Sequence, residues 1–258
     1  VIREAEMSRP ILELRNVTCE RGGVRLINNV SFTLNNGENL ILFGTEDSGI
    51  SAMANLMIDI ERDYTGDIFF RGNNLREFTY ESAHDYKRQI GYVHGEYGLF
   101  SNMTVEGNIS LPLEYHTSLS REEIKEQVNR LVFDLNLDHC KKMRPFDLTR
   151  SELLKTNYAM SIILDPDLLI VERAFESQCP LNVQTLLEHL KRRISLPDRS
   201  VIMITHNPQN FGDQGDRYMM MFSGKIVFDG SRDDFDASFN PYLKQYKENS
   251  TIGPMPIL

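Results

Sequence analysis

The segment Gly44-Thr45-Glu46-Asp47-Ser48-Gly49-Ile50-Ser51 carries two glycines five residues apart and a closing serine. That is the spacing of a phosphate-binding loop, with isoleucine where such loops carry lysine. The chemistry this pattern supports is anion binding: backbone N–H groups and a helix N-terminus cradle phosphate oxygens, and the lysine adds a full positive charge. Here the charge is missing, and Glu46 and Asp47 bring two carboxylates to the loop. An ordinary glycine turn fits the same residues, so the setting has to decide. Leu40-Ile41-Leu42-Phe43 runs into Gly44 as a buried strand would, and Ser51-Ala52-Met53-Ala54-Asn55-Leu56-Met57-Ile58 reads as a short helix. Strand, loop and helix are the arrangement a phosphate cradle needs.

The elements that must position this loop are legible on both sides of it. Ile11 to Cys19 alternates apolar and polar, as does Val30-Ser31-Phe32-Thr33-Leu34 before the turn Asn35-Asn36-Gly37, which predicts antiparallel strands leading into the loop strand. Further strands are expected at 67–70, 90–93, 168–171, 200–205, 218–222 and 225–228. The stretch from 93 to 168 is mainly helical in character. Ser120 followed by Glu123 is a capping box opening a helix to about residue 135, and a second helix is expected over 152–163. The fold class is therefore α/β, with an antiparallel strand lobe and an inserted helical lobe.

Composition narrows the partners. With 258 residues, 41% of them apolar, the chain can bury a sizeable core. A net charge of −9 argues against nucleic acid, whose phosphates need a clustered basic surface. No apolar run approaches the roughly 18 residues that cross a bilayer, and the start Val1-Ile2-Arg3-Glu4-Ala5-Glu6 has no signal-peptide core, so a cytoplasmic location is expected. Cys19, Cys140 and Cys179 are scattered and odd in number, which reads as idle thiols with no metal site. His94, alone on a loop, reads as a surface or packing residue.

The order of these segments resembles that of the nucleotide-binding subunit of ATP-binding cassette (ABC) transporters, over nearly the whole chain. The match runs from Asn16-Val17 and Val30-Ser31-Phe32 through the phosphate loop to Gly66-Asp67-Ile68 and Ile90-Gly91-Tyr92-Val93. Leu164-Asp165-Pro166-Asp167-Leu168-Leu169-Ile170-Val171 is similar to the family's Walker B strand, Ile204-Thr205-His206 to its switch histidine, and Ser223-Gly224-Lys225-Ile226-Val227 with Asp229-Gly230 to its closing hairpin. The resemblance implies a P-loop NTPase core. On it, residues 1–10 form an extension, 11–93 and 165–248 the nucleotide-binding core with its β lobe, 94–164 a helical subdomain, and 249–258 a tail. ATP and Mg²⁺ are the implied cofactors. The implied partners are a membrane permease, through which any membrane contact is indirect, and a second ABC subunit in a homo- or heterodimer. That places the chain on the cytoplasmic face of the inner membrane. Gly98-Leu99-Phe100-Ser101-Asn102-Met103-Thr104-Val105, with Asn108-Ile109 and Pro112-Leu113, looks most like the subunit of Mla- and Mce-type lipid transporters. In that family Leu99, Phe100 and Met103 would face the permease, with core packing as the rival. The tail around Gly253-Pro254-Met255-Pro256 is similar to an extension that reaches the partner subunit, unless it is a frayed end.

The same resemblance locates the departures. The nucleotide-binding positions would be Gly44, Ser48, Gly49, Ile50, Ser51, Gly95 and Glu172. Of these, Ile50 replaces the lysine, Gly95 the Q-loop glutamine and Glu172 the Walker B aspartate. Arg173 stands where the family has its catalytic glutamate, and Cys179 where it has the D-loop aspartate. The signature Leu-Ser-Gly-Gly-Gln reads Leu148-Thr149-Arg150-Ser151-Glu152, and only His206 is unchanged among residues brought to the γ-phosphate. Arginine stays protonated, so Arg173 offers no base to an attacking water. At about 5 Å and an effective dielectric near 20, the lost lysine contact is worth about 3 kcal/mol before screening. Arg173 is expected either to pair with Glu46, Asp47 and Glu172 in place of the nucleotide's charges or to belong to a charged rim. Subunits of this family pair head to tail, so defects in both loop and signature spoil both composite sites. The expected function is a catalytically inactive structural or regulatory transporter subunit. The alternatives are an ATPase with a remodelled site and a soluble interaction module that uses the ABC dimer surface.

Overall fold

A computed structural model describes residues 10–256, apart from 97, 177, 180 and 183. All but the last residue of the expected 1–10 extension therefore lies outside the described residues, as do the final two residues of the tail. In chain order the elements are β1 (Pro10–Arg21), β2 (Val24–Asn35), β3 (Asn39–Gly44), α1 (Ile50–Met57), β4 (Tyr64–Phe70), β5 (Asn73–Asn74), α2 (Tyr80–Gln89), β6 (Ile90–His94) and α3 (Val105–His116). There follow α4 (Arg121–Asp134), α5 (Arg150–Ile162), β7 (Leu168–Glu172), α6 (Gln184–Ile194), β8 (Ser200–Thr205), β9 (Arg217–Phe222), β10 (Lys225–Ser231), α7 (Arg232–Ala237) and α8 (Pro241–Lys247). They gather into two compact units, one made of residues up to 83 and from 200 onward, the other of residues 84–199.

The first unit holds two groups of strands. β2, β1, β4 and β5 form an antiparallel sheet in that order. Its long strands bulge where Asn16 and Asn29 adopt positive φ, a conformation asparagine tolerates better than most residues. β3 pairs in parallel with β8 on one side and β9 on the other, and β10 closes antiparallel on β9. Every residue of β3 and of β8 is buried, which explains why both read as continuous apolar runs instead of alternating. Asn39 enters this core with its backbone N–H and Nδ2 donating to Asp216 Oδ2 at 2.8 and 3.1 Å.

At the end of the same unit α8 is capped by Asn240, whose Oδ1 accepts from the Tyr242 and Leu243 amides. Buried Gln245 then fastens the tail: its Oε1 accepts from Met255 N–H at 2.8 Å, and its Nε2 donates to Met255 O at 2.8 Å and Ser250 O at 3.3 Å. Up to Met255 the tail lies on its own chain instead of fraying.

In the second unit β6 and β7 pair in parallel, and α3 packs against α4 and α5. The expected capping box at Ser120 and Glu123 is formed. The turn into β7 is tied down by Arg199, which reaches Asp165 at 2.6 Å and Asp167 at 3.0 Å, and by buried Arg193, which reaches Asp165 at 3.2 Å. Hydrogen bonding from Arg199 holds the Asp165 carboxyl below the usual carboxylate range. Among the described residues no helix is long and apolar enough to cross a membrane.

Candidate functional site

The phosphate-loop segment is built entirely within the first unit. After β3 the chain makes a single 3₁₀ turn, Glu46–Ser48, then passes through Gly49 at φ +91° into α1. The Ser48 amide donates to Thr45 O at 3.0 Å, so the turn closes on itself. No side chain caps the N-terminus of α1, which leaves its first amides and the positive end of its dipole as the remaining anion-binding feature. The residue that would add charge is turned the other way: Ile50 is 6% exposed and belongs to the apolar core. Glu46 and Asp47 are exposed at the turn, and no residue from 44 to 51 is basic. Ser51 keeps its place in the first turn of the helix, exposed. The donor set suits a weakly held anion and does not fit a magnesium-bound triphosphate, whose charge demands a cation in the cradle.

The rest of this end of the unit closes on the loop from its own chain. The carbonyl of Gly44 accepts from His206 Nδ1 at 2.9 Å and from the Tyr246 hydroxyl at 3.2 Å, and that hydroxyl also donates to His206 O at 2.7 Å. His206, expected to match the family's switch residue, is thereby oriented by the first glycine of the loop. Tyr246 was not foreseen from sequence, because its helix α8 lies about 200 residues from the loop it touches. Ser48 is fully buried, and its hydroxyl has no hydrogen-bond partner among the described residues. A buried unsatisfied hydroxyl costs about 1–3 kcal/mol, so Ser48→Ala is expected to stabilise the protein by about 1 kcal/mol in urea denaturation. A loss of stability instead would show that the hydroxyl is engaged.

The second unit carries the other matching positions. Glu172 ends β7 at 2% exposure, and its carboxylate accepts a short hydrogen bond from the Tyr92 hydroxyl on β6. Burial first, and then this hydrogen bond, push the Tyr92 phenol well above its ordinary range, so it stays a donor. Tyr92 is a second residue that sequence reading left unassigned, although its place opposite Ile170 in the strand pair follows from the register. Arg173 adopts φ +51°, and its Nε donates to Glu176 at 3.0 Å in an exposed ion pair. The carboxylates expected to receive it were Glu46, Asp47 and Glu172; Glu176, three residues along the same turn, was not among them. Gly95 sits on the backbone of this turn: its amide donates to Glu172 O at 3.1 Å, and a Cβ there would lie 3.0 Å from Arg173 O. A side chain at 95 would press on that carbonyl, which would have to give by a few tenths of an ångström. Cys179, expected at the position of the D-loop aspartate, is exposed.

The signature-equivalent residues form the start of α5. Thr149 caps the helix, and Glu152 reaches back to the Thr149 amide and hydroxyl, both at 2.7 Å, completing a capping box. Leu148 is half-buried before the cap, Arg150 is exposed, and Ser151 shares the Thr149 hydroxyl at 3.3 Å. A carboxylate of the same chain thus sits at this helix start. Burial raises the Glu152 carboxyl, and the hydrogen bonds from Thr149 and His139 outweigh it, leaving the group below its ordinary value. The pattern Thr-x-x-Glu, Thr149 to Glu152, is the sequence signal for this cap.

Leu99, Phe100 and Met103 lie on the loop before α3. Phe100 is 50% exposed and the other two are half-buried. Fully buried Asn108 pins this loop: its Oδ1 accepts from Phe100 N–H at 2.7 Å, and its Nδ2 donates to Phe100 O at 3.2 Å and Thr104 O at 3.0 Å. Phe100 borders a groove of about 430 Å³ that is also lined by Ile90, Leu111, Pro112, Tyr115 and Met160.

The sequence matches the ABC transporter family over residues 27–175. It is similar to the sulfate/thiosulfate import ATP-binding protein CysA 1 of Agrobacterium fabrum, with 26% identity across 90% of this chain and 66% of that protein. It is also similar to the intermembrane phospholipid transport system ATP-binding protein MlaF of Escherichia coli, with 22% identity across 95% of this chain and 91% of MlaF. The chain spans less than two thirds of the length of CysA 1 and 63% of the Haemophilus influenzae spermidine/putrescine import protein PotA. Among solved structures, an ATP-binding subunit of an ABC transporter aligns with TM-score 0.80 at 20% identity, covering 94% of this chain and all of that one. The cassette MJ0796, dimeric and bound to ADP and phosphate, aligns with TM-score 0.79 at 19% identity, covering 85% and 98%. The fold is thus the α/β P-loop ABC ATPase core with its antiparallel lobe and inserted helical subdomain.

Proposed function

Because this chain belongs to the ABC transporter family, we propose that it is a nucleotide-binding-fold subunit that docks on a membrane permease and holds a transporter together without turning over ATP. The observation that carries this is the burial of Ile50: the lysine position has become part of the core, so the loop has no cation to give a phosphate. Arg173 adds a second, independent defect, since a guanidinium paired with Glu176 has no proton-accepting role. A third lies at Thr149 and Glu152, where the helix start that would serve a partner's nucleotide is capped from within.

The cargo class we assign is lipid, of the Mla/Mce kind. What supports this is the run from Gly98 to Val105 with Asn108-Ile109 and Pro112-Leu113, which looks most like that group, together with the similarity to MlaF. The permease contact we assign is the loop of Leu99, Phe100 and Met103 with the groove beside it, where apolar surface is exposed next to a rigidly held backbone. Asn108→Ala removes the polar clamp under that loop. It is expected to cost about 1–2 kcal/mol in stability and to reduce recovery of the partner.

The test is purification of the tagged chain from membranes of cells expressing it with its neighbours. The expected outcome is a stoichiometric multi-span partner, lost in Phe100→Glu, and no ATP-dependent phosphate release attributable to this subunit. Recovery of the chain alone from membranes and cytosol would favour a detached interaction module. Phosphate release abolished by His206→Ala would favour a working ATPase.

A further inference from the structure

The second unit brings together three side chains that no spacing pattern connects, two of them outside every motif and the third, Glu152, at the end of the signature-equivalent segment. His139 and Cys140 lie in the turn after α4, and Glu152 lies in the first turn of α5. One ligand atom from each falls within 4.8 Å of the others. We propose that His139 Nε2, Cys140 Sγ and Glu152 Oε1 form a binding site for a zinc-class transition metal that staples the α4–α5 turn to the start of α5.

The two oxygens of Glu152 are already divided between two tasks. Oε2 accepts from the Thr149 amide and hydroxyl, which fixes the carboxylate plane. Oε1 faces His139 Nε2 at 2.6 Å and is the oxygen left for a metal. A ligating carboxylate held by hydrogen bonds through its other oxygen is the usual outer support of a metal site. Tetrahedral zinc, with bonds of about 2.0–2.3 Å, places its ligand atoms about 3.3–3.7 Å apart, so the observed group needs only side-chain adjustment to close on it. A thiolate, an imidazole and one carboxylate favour zinc over magnesium or calcium, which take sets made wholly of oxygen. Cys140 is buried and donates to Leu137 O at 3.4 Å, and His139 is 64% exposed, so the metal enters from the histidine side and a water completes the fourth position. Burial raises the Cys140 thiol to about 11, and coordination releases its proton to solvent. The plain alternative is an isolated His139–Glu152 hydrogen bond beside a core thiol.

The experiment titrates chelator-stripped full chain with Co²⁺ and then with Zn²⁺. The expected result is one metal per chain, with a thiolate-to-cobalt charge-transfer band that Zn²⁺ abolishes. Cys140→Ser should lose the band, and His139→Ala should weaken Zn²⁺ binding by at least about 100-fold, the upper end of what losing an outer-shell partner costs. Cys179→Ser should change neither. His139 is exposed, so His139→Ala keeps the test valid even if Cys140→Ser fails to fold. Absence of the cobalt band in the folded protein, or unchanged Zn²⁺ affinity in His139→Ala, overturns the proposal.

Discussion

Ile50→Lys is expected to destabilise the protein by about 3 kcal/mol and to confer no stabilisation by Mg-ATP. The substitution restores the residue that the loop pattern calls for, so a motif-level reading predicts a gain of function. The structure predicts a loss because position 50 faces the core. Removing the isoleucine forfeits about 1.5–3 kcal/mol of apolar burial. The ammonium then either stays in the core, neutralised at further cost, or swings out and leaves a cavity. Nothing else needed for turnover returns with it, since Gly95, Thr149 to Glu152 and Arg173 remain as they are. The urea midpoint of the variant with and without Mg-ATP measures both parts of the expectation.

Gly49→Ala is expected to cost about 3–5 kcal/mol, more than a cradle kept only for a ligand would show. Gly49 has φ +91°, where an L side chain is strained by about 1–2 kcal/mol, and the strain is the smaller part. An added Cβ would lie 2.1 Å from the carbonyl oxygen of Leu26 and 3.2 Å from Ile27 Cδ1, so β2 would have to move. The glycine is therefore retained by packing of the loop on its own sheet, whatever becomes of the phosphate. Gly22→Ala is the control: φ is also positive there, at +58°, and open space surrounds the position. It should cost about 1–2 kcal/mol, the conformational part alone. Equal losses at the two positions would remove the packing argument.

These two residues show what the sequence could carry and where it stopped. The strands of the core were legible because each is a run of apolar residues ending on a turn; 200–205 was read to the residue, and the loop strand to within one at each end. β2 was read from Val30 because Asn28 and Asn29 break its alternation, and the bulge at Asn29 explains the break. The helix α6 was not read at all, since a single amphipathic helix without a cap signal at its start leaves little to recognise. Identities at the site need no coordinates: isoleucine at 50 and arginine at 173 stand in the sequence, where the resemblance leads one to expect lysine and glutamate. Directions were hidden. That Ile50 points inward, that Arg173 turns to Glu176, that Tyr92 serves Glu172 and that Tyr246 reaches Gly44 are consequences of tertiary packing between residues far apart in sequence or of a left-handed turn that no local pattern announces. The grouping of His139, Cys140 and Glu152 was hidden for the same reason.

On the proposed function, the loop of residues 44–51 keeps its shape for packing and binds no nucleotide. Thermal unfolding of the purified chain with and without millimolar Mg-ATP, with phosphate release followed on the same sample, tests it most directly. Superimposable transitions and no phosphate above the buffer rate are expected. Stabilisation of about 2.7 kcal/mol, the effect of a ligand at about a hundred times its Kd, together with phosphate release that His206→Ala removes, would contradict it.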